Sequence, residues 1–391
     1  MKVERSVIML NKKVAFIPCK TYQQNEVNQA VQQLLAELGG LAQYIKPGQK
    51  VLLKVNLLMK KPPEAAVTTH PALVEALVNQ IQALGAKTII ADSPGGPFTK
   101  AWLKGIYQET GMVKVAKRTG AELNWNFEQQ EFSYPEGRIL KHITLAKIVK
   151  EADVVISLAK LKTHGFTIYT GAVKNLFGTI PGLLKADYHL RLDDVRDFSD
   201  MLVDIAQFVK PTLSIMDAVI AMEGPGPSAG EPKSVGLLAA SENPHGLDLA
   251  CCYIIGLNPE QVPTLQKAIA RGLIPKNIRE LDIRGIADEE FKPIPFKVPA
   301  TSRSRHLPIP LPAKLDDFFY KLLRPKPIFI HKKCINCGLC ARNCPPQCIE
   351  MIASKPQADL TRCIRCFCCQ ELCPEQAVEI KRSKLSRLIF R

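Results

Sequence analysis

Over the first 290 positions, apolar residues follow two alternating rhythms. Short unbroken apolar runs, the pattern of strands covered on both faces, are separated by segments whose apolar positions recur every three or four residues, the pattern of helices. The runs KVAFIP (13–18), KVLLKVN (50–56), KTIIAD (87–92), DVVISLA (153–159), TLSIMDAVIAM (212–222) and KSVGLLAAS (233–241) predict strands. Val27, Val31, Leu34, Leu35 and Leu38 predict a helix stopped by Gly39-Gly40. PALVEALVNQIQALG (71–85) predicts another, with Pro71 suited to its first turn and Gly85 to its C-terminal cap. A further helix is expected near 245–256. The alternation predicts an α/β fold, a mainly parallel sheet flanked by helices.

The rhythm stops at about residue 291. Residues 292–327 are rich in proline and basic residues and read as a linker or strap, with one short amphipathic piece, LDDFFYKLL. A cysteine-rich module is expected over 328–382, and a basic tail over 383–391.

Ten of the thirteen cysteines lie in that module, and eight of them repeat one pattern. Cys334, Cys337, Cys340 and Cys344-Pro345 form CxxCxxCxxxCP. Cys363, Cys366, Cys369 and Cys373-Pro374 form it again, 29 residues later. Two-residue gaps let one tight loop aim three thiolates at three corners of a cubane, while the fourth cysteine leaves the loop. A disulfide framework would require an oxidising compartment, and no export signal is visible. Zinc sites pair CxxC units across a longer gap. The repeat resembles the bacterial two-cluster ferredoxin. That resemblance implies a small ferredoxin-like α+β domain with two 4Fe–4S clusters, one held by Cys334, Cys337, Cys340 and Cys373, the other by Cys363, Cys366, Cys369 and Cys344. Cys348 and Cys368 read as extra small buried residues, and Cys19, Cys251 and Cys252 as structural.

Chemistry in the first 290 residues is sought beyond the strand ends, where open α/β sheets bind ligands. Asn56 follows the second strand, Asp92 and Ser93 the third, and Lys160, Lys162 and His164 the fourth; Asp217 and Glu223 lie at or beyond the fifth. The segment KLKTHGFTIYTGAVKNLFGTIPG (160–182) is the densest, with three lysines, a histidine and four glycines. Glycine lets backbone approach a ligand, and ammonium groups hold carboxylate or phosphate. His70 precedes a helix N-terminus, where anions are favoured. No Walker, HExxH or Gly-x-Ser-x-Gly motif occurs, and the prolines of GPGPSAG (224–230) spoil a dinucleotide fingerprint.

VNLLMKKPPEAAVTTHPALVEALV, ADSPGG and KLKTHGFTIYTGAVKNLFG resemble the domain of unknown function 362 family, whose members often carry an appended two-cluster ferredoxin. A more distant similarity is to the lactate racemase N-terminal domain. His164 and Lys174 keep that family's ten-residue interval, and TIPG and His189 follow. In the racemase such residues hold a nickel pincer cofactor. Here ADSPGG occupies the place of the racemase's other catalytic histidine segment, so a nickel pincer is not expected.

These readings converge on an iron–sulfur protein. The first expectation is a ferredoxin-linked reductase of an anionic small molecule. His164 is its leading proton donor, with Asp92 and Glu223 as alternates; Lys162 and Lys174 supply charge; Asn56, His70 and Asn175 bind substrate. A flavin would suit two-electron chemistry, yet no signature calls for one. The alternative is a non-catalytic electron-transfer subunit that docks a partner oxidoreductase. The formal charge of +15 favours anionic partners, and clusters with their thiolates would lower it to roughly +11. No nucleic-acid motif accompanies the charge. The basic tail is a candidate membrane-surface contact, but no apolar run is long enough to span a bilayer, and a cytoplasmic location is expected.

Overall fold

The computed structural model describes residues 12–298 and 325–381. The amphipathic piece at 315–323 and the tail beyond Lys381 lie outside the described residues. The first part is built on one mixed sheet. Its strands are β1 (Lys13–Pro18), β2 (Lys50–Lys54), β3 (Lys87–Ala91), β4 (Glu122–Leu123), β7 (Val154–His164), β8 (Ile168–Thr170), β9 (Leu213–Glu223), β10 (Glu231–Ser241) and β11 (Asp282–Arg284). The separate strands β5 (Gln129–Ser133) and β6 (His142–Ala146) pair only with each other.

Across the sheet the order is β11-β1-β10-β9-β7-β2-β3-β4, with β8 folded back on β7. The run β9-β7-β2-β3-β4 is parallel throughout. Pairing is antiparallel for β10 with both β1 and β9, and for β8 with β7. The expected α/β fold with a mainly parallel sheet is therefore present. All eleven residues of β7 are buried, as befits a central strand covered on both faces.

Helices cover both faces. The helices Gln24–Glu37, Pro71–Ala83, Lys100–Glu109 and Met112–Thr119 close one apolar core through Val31, Leu34, Leu77, Ile81, Leu103 and Val115. On the other face, Val195–Val209 and Pro244–Ile254 close two more. Phe296 and Val298 still pack on one of these, so the body extends past the expected boundary at 291.

The module resumes with β12 (Lys326–Phe329), which pairs antiparallel with β15 (Val378–Lys381); β13 (Ile349–Ile352) pairs with β14 (Lys355–Ala358). Short helices at Leu339–Arg342 and Cys368–Glu371 complete it. The repeat is visible in the backbone. Positive φ recurs at Asn336 and Arg365, at Gly338 and Phe367, and at Gln347 and Gln376, each pair 29 residues apart.

Candidate functional site

Because β2, β3 and β7 are parallel, their carboxyl ends share one edge of the sheet, and the module sits over that edge. Lys61 Nζ donates to Pro374 O at 2.6 Å, and Gln370 Nε2 to Pro225 O at 2.8 Å. Two glycines permit the approach. A Cβ on Gly95 would lie 2.5 Å from Leu372 Cδ2, and one on Gly165 would lie 2.7 Å from Ile380 Cδ1.

Body and module enclose a cavity of about 840 Å³, counted with its open mouth. The body contributes Lys54, Asn56, Asp92, Lys162, His164, Lys174, Asn175, Lys185 and His189; the module contributes Asn343, Cys368, Glu371 and Leu372. Six of the eight residues expected to act on or bind substrate thus meet here: Asn56, Asp92, Lys162, His164, Lys174 and Asn175.

Two do not. His70 caps the helix Pro71–Ala83, its Nδ1 accepting the Ala72 N–H at 3.2 Å while its ring stacks on Tyr22 at 3.5 Å. Glu223, at the end of β9, accepts the Lys297 backbone N–H at 2.8 Å and pairs with the Lys297 ammonium. Neither lines the cavity. Lys54, Lys185, His189 and Glu371 do line it.

The charged groups divide into paired and unpaired. Lys54 Nζ lies 2.8 Å from Asp92 Oδ1, both fully enclosed, and Asp92 also accepts the Leu57 N–H. Burial pushes Lys54 below its ordinary range, and Asp92 opposes that. Asn175 is committed to the scaffold: Nδ2 donates to Lys54 O and Ser157 Oγ, and Oδ1 accepts from Lys54. Lys162 has only neutral partners, Asn56 Oδ1 at 2.8 Å and Val67 O at 2.7 Å. Burial, then the charges of Lys174 and Lys160, bring Lys162 down to about 7.

Two backbone N–H groups, of Phe166 and Thr167, donate to His164 Nδ1. The ring proton is therefore on Nε2, which lies 2.9 Å from Glu371 Oε1. Burial, then the Lys174 charge, pushes His164 down to about 4, so the imidazole is neutral at pH 7. Burial opposes ionisation of Glu371, but His164 and Lys174 outweigh it, and its carboxylate stays charged.

In the module, Cys334, Cys337, Cys340 and Cys373 line a cavity of about 380 Å³ with Phe329, Leu339 and Val378. Cys344 and Cys369 pack in a small core that Cys363 and Cys373 border. Burial and then the charges of Cys363 and Cys366 raise both Cys344 and Cys369. Among the described residues no three His, Cys, Asp or Glu side chains converge on a single-ion site. A cubane does not ask for that, since each thiolate takes a different iron. The Ala377 N–H lies 3.1 Å from Cys373 Sγ, the kind of amide–sulfur contact that tunes iron–sulfur sites. Each set offers four thiols, as many as one cubane takes. The first four thiols are all partly exposed; of the second four, Cys344, Cys366 and Cys369 are buried. The extra thiols are buried too: Cys348 Sγ is 3.5 Å from Cys344 Sγ, and Cys368 faces the large cavity.

Residues 51–253 match the family described as Domain of unknown function (DUF362), and the chain belongs to that family. A thylakoid-associated protein of Synechocystis sp. is 34% identical over 304 residues, which cover 75% of this chain and 93% of that protein. Two solved structures align over 62% of this chain. The lactate racemase apoprotein of Thermoanaerobacterium thermosaccharolyticum does so over 57% of its own length, at 13% identity and a TM-score of 0.39. A protein from Thermotoga maritima does so over 61% of its length, at 10% identity and a TM-score of 0.39. The chain thus spans less than two thirds of either solved chain.

Proposed function

We propose that this DUF362 member carries electrons through two 4Fe–4S clusters to an anionic small molecule bound in the cavity between body and module. One observation carries the reading: a lysine-rich wall, with Lys162 and Lys174, faces a module wall, with Cys368 and Glu371, that adjoins the deeper thiol set. Cys334, Cys337, Cys340 and Cys373 would hold the outer cluster, and Cys363, Cys366, Cys369 and Cys344 the inner one. When bound, the clusters supply single-electron transfer.

The chain's own residues supply charge and protons. Lys174 and Lys162 attract and orient the anion. Lys162, poised near 7 and without a carboxylate partner, is better placed than the neutral His164 to release a proton at physiological pH. His164 positions the module wall through Glu371. The alternative, a docking subunit without catalysis, requires no enclosed space around residues 160–175, and the cavity there favours the enzyme. Cysteines kept as thiols or as cluster ligands, rather than disulfides, suit a reducing compartment such as the cytoplasm.

The test is anaerobic purification of the full chain. About eight irons per chain, a dithionite-reducible paramagnetic centre and reoxidation by a small anion are expected. Iron well below eight, or no reducible centre, overturns the proposal.

A further inference from the structure

Four lysines line the cavity, and their partners differ. Lys54 is closed off by Asp92. Lys185 Nζ reaches only Ser93 Oγ at 3.0 Å and Ile180 O at 2.7 Å. Lys162 reaches only Asn56 and Val67 O. Lys174 stands 5.6 Å over the Phe177 ring. Among the described residues, none of these three has a carboxylate within 4.0 Å. Lys162 is buried, and Lys174 and Lys185 are half-buried. An ammonium group drawn out of water without a counter-charge is destabilised, and an arriving anion offsets that. Among the described residues, the carboxylates in the wall are Asp92 and Glu371. Counting side chains alone, with His164 and His189 neutral, the fully protonated lysines outnumber the carboxylates four to two, so a bound dianion balances the wall.

We propose that the cavity seats its substrate by a doubly charged anionic group, a dicarboxylate or a phosphate monoester, held jointly by Lys162, Lys174 and Lys185. This rests on reading the cavity as the substrate site. The remaining wall, with Leu58, Pro94 and Leu372, is apolar and takes the organic body of the ligand. A single carboxylate leaves one ammonium unanswered and binds more weakly.

Proton linkage follows from the same geometry. Burial brings both Lys162 and Lys185 down to about 7. Lys162 also feels Lys174 and Lys160 against Glu371 and Asp92; Lys185 feels Lys54 and Lys174 against Asp92. A bound dianion favours the charged form of each, so binding takes up protons above pH 7 and weakens as pH rises toward 9.

The experiment is calorimetric titration of the anaerobic holoprotein with succinate, inorganic phosphate and acetate at pH 8, in two buffers of different ionisation enthalpy. At least one dianion should bind about tenfold tighter than acetate, with net proton uptake, and which dianion does so separates the dicarboxylate from the phosphate. Lys185→Met should cost the dianion about tenfold and acetate less, and Lys185→Arg should restore most of it. Equal affinity for acetate and both dianions, or no proton uptake, overturns the proposal even if Lys185→Met fails to fold. Failure of selectivity with iron and reducibility intact sinks this inference alone. Selectivity without iron sinks the electron-transfer reading alone.

Discussion

Replacing Asp92 with alanine should destabilise the body by about 4 kcal/mol, because it strands a buried cation. Lys54 Nζ and Asp92 Oδ1 are 2.8 Å apart, with side chains 2% and 3% exposed. Breaking such a pair by removing one partner costs roughly 3–5 kcal/mol. The variant also orphans the Leu57 N–H, bonded to Asp92 at 2.8 Å, which adds to the cost. The folded variant has one escape: Lys54 can shed its proton. From the ordinary lysine value of 10.5, doing so at pH 7 costs roughly 5 kcal/mol, which caps the charge penalty. The sign of the pH response follows. A folded-state Lys54 that has lost its proton leaves the unfolded chain binding more protons below pH 10.5, so the variant gains stability as pH rises from 7 to 10. Replacing both partners with apolar residues, Lys54→Met with Asp92→Leu, should fall within roughly 1 kcal/mol of the parent or above it. Urea unfolding followed by tryptophan fluorescence reads this well. Both tryptophans lie in the body, and Trp102 Nε1 donates to Gly95 O beside the site. The reasoning fails if Asp92→Ala lies within 1 kcal/mol of the parent, or if the double variant loses the sum of the singles.

Three further outcomes are expected. Cys334→Ser and Cys373→Ser, though 39 positions apart in sequence, should abolish the same paramagnetic signal and each leave about four irons, while Cys344→Ser should abolish the other; matched loss for Cys334 and Cys344 would refute the exchanged ligand sets. Gly165→Val should push against Ile380, loosen the module by about 1–3 kcal/mol, and speed amide exchange across residues 368–372, with unchanged exchange refuting the contact. His164 falls to about 4, and His189 and His245 to about 3, so the unfolded chain binds more protons below 6.5; stability should decline as pH drops from 6.5 through 4, by roughly 3 kcal/mol for His164 alone, and a flat urea midpoint over that window would contradict it.

Most of the sheet is legible in the sequence because its strands are apolar runs between helical periods. The fourth run is the instructive exception. It reads as a strand ending near residue 159, since the lysines that follow look like a solvated loop. In the structure β7 continues to His164, and β8 pairs back onto it. The lysines stay in the strand because Lys160 meets Asp217 at 3.0 Å and Lys162 meets Asn56. Partners more than fifty positions away override the local polarity. The strand-end rule brings Asn56, Asp92, Lys162 and His164 to one place for the same topological reason. It misses Lys54, which looks like the solvent-facing lysine of an ordinary strand until Asp92 arrives from the next one. It also misses Glu371, which sits inside the cysteine motif yet contacts His164 across 207 positions of chain.

That last contact bears on how the two halves of the chain work together. Residues 369–373 run from the last cysteine of one expected ligand set, Cys369, to Cys373 of the other. Between them, Gln370 bonds Pro225, Glu371 meets His164, and Leu372 lies where only glycine is accommodated at position 95. One short segment therefore joins both expected ligand sets and forms a wall of the cavity. A carrier merely tethered by a flexible linker has no need of such seating, since diffusion on the tether would bring its thiols to many surfaces in turn. Fixed seating instead gives a constant separation between the buried thiol set and the lysine wall, while the partly exposed set remains turned toward the outside. Under the proposed function this makes the module a permanent wall of the site, and it gives the route a direction: outer thiols, inner thiols, cavity.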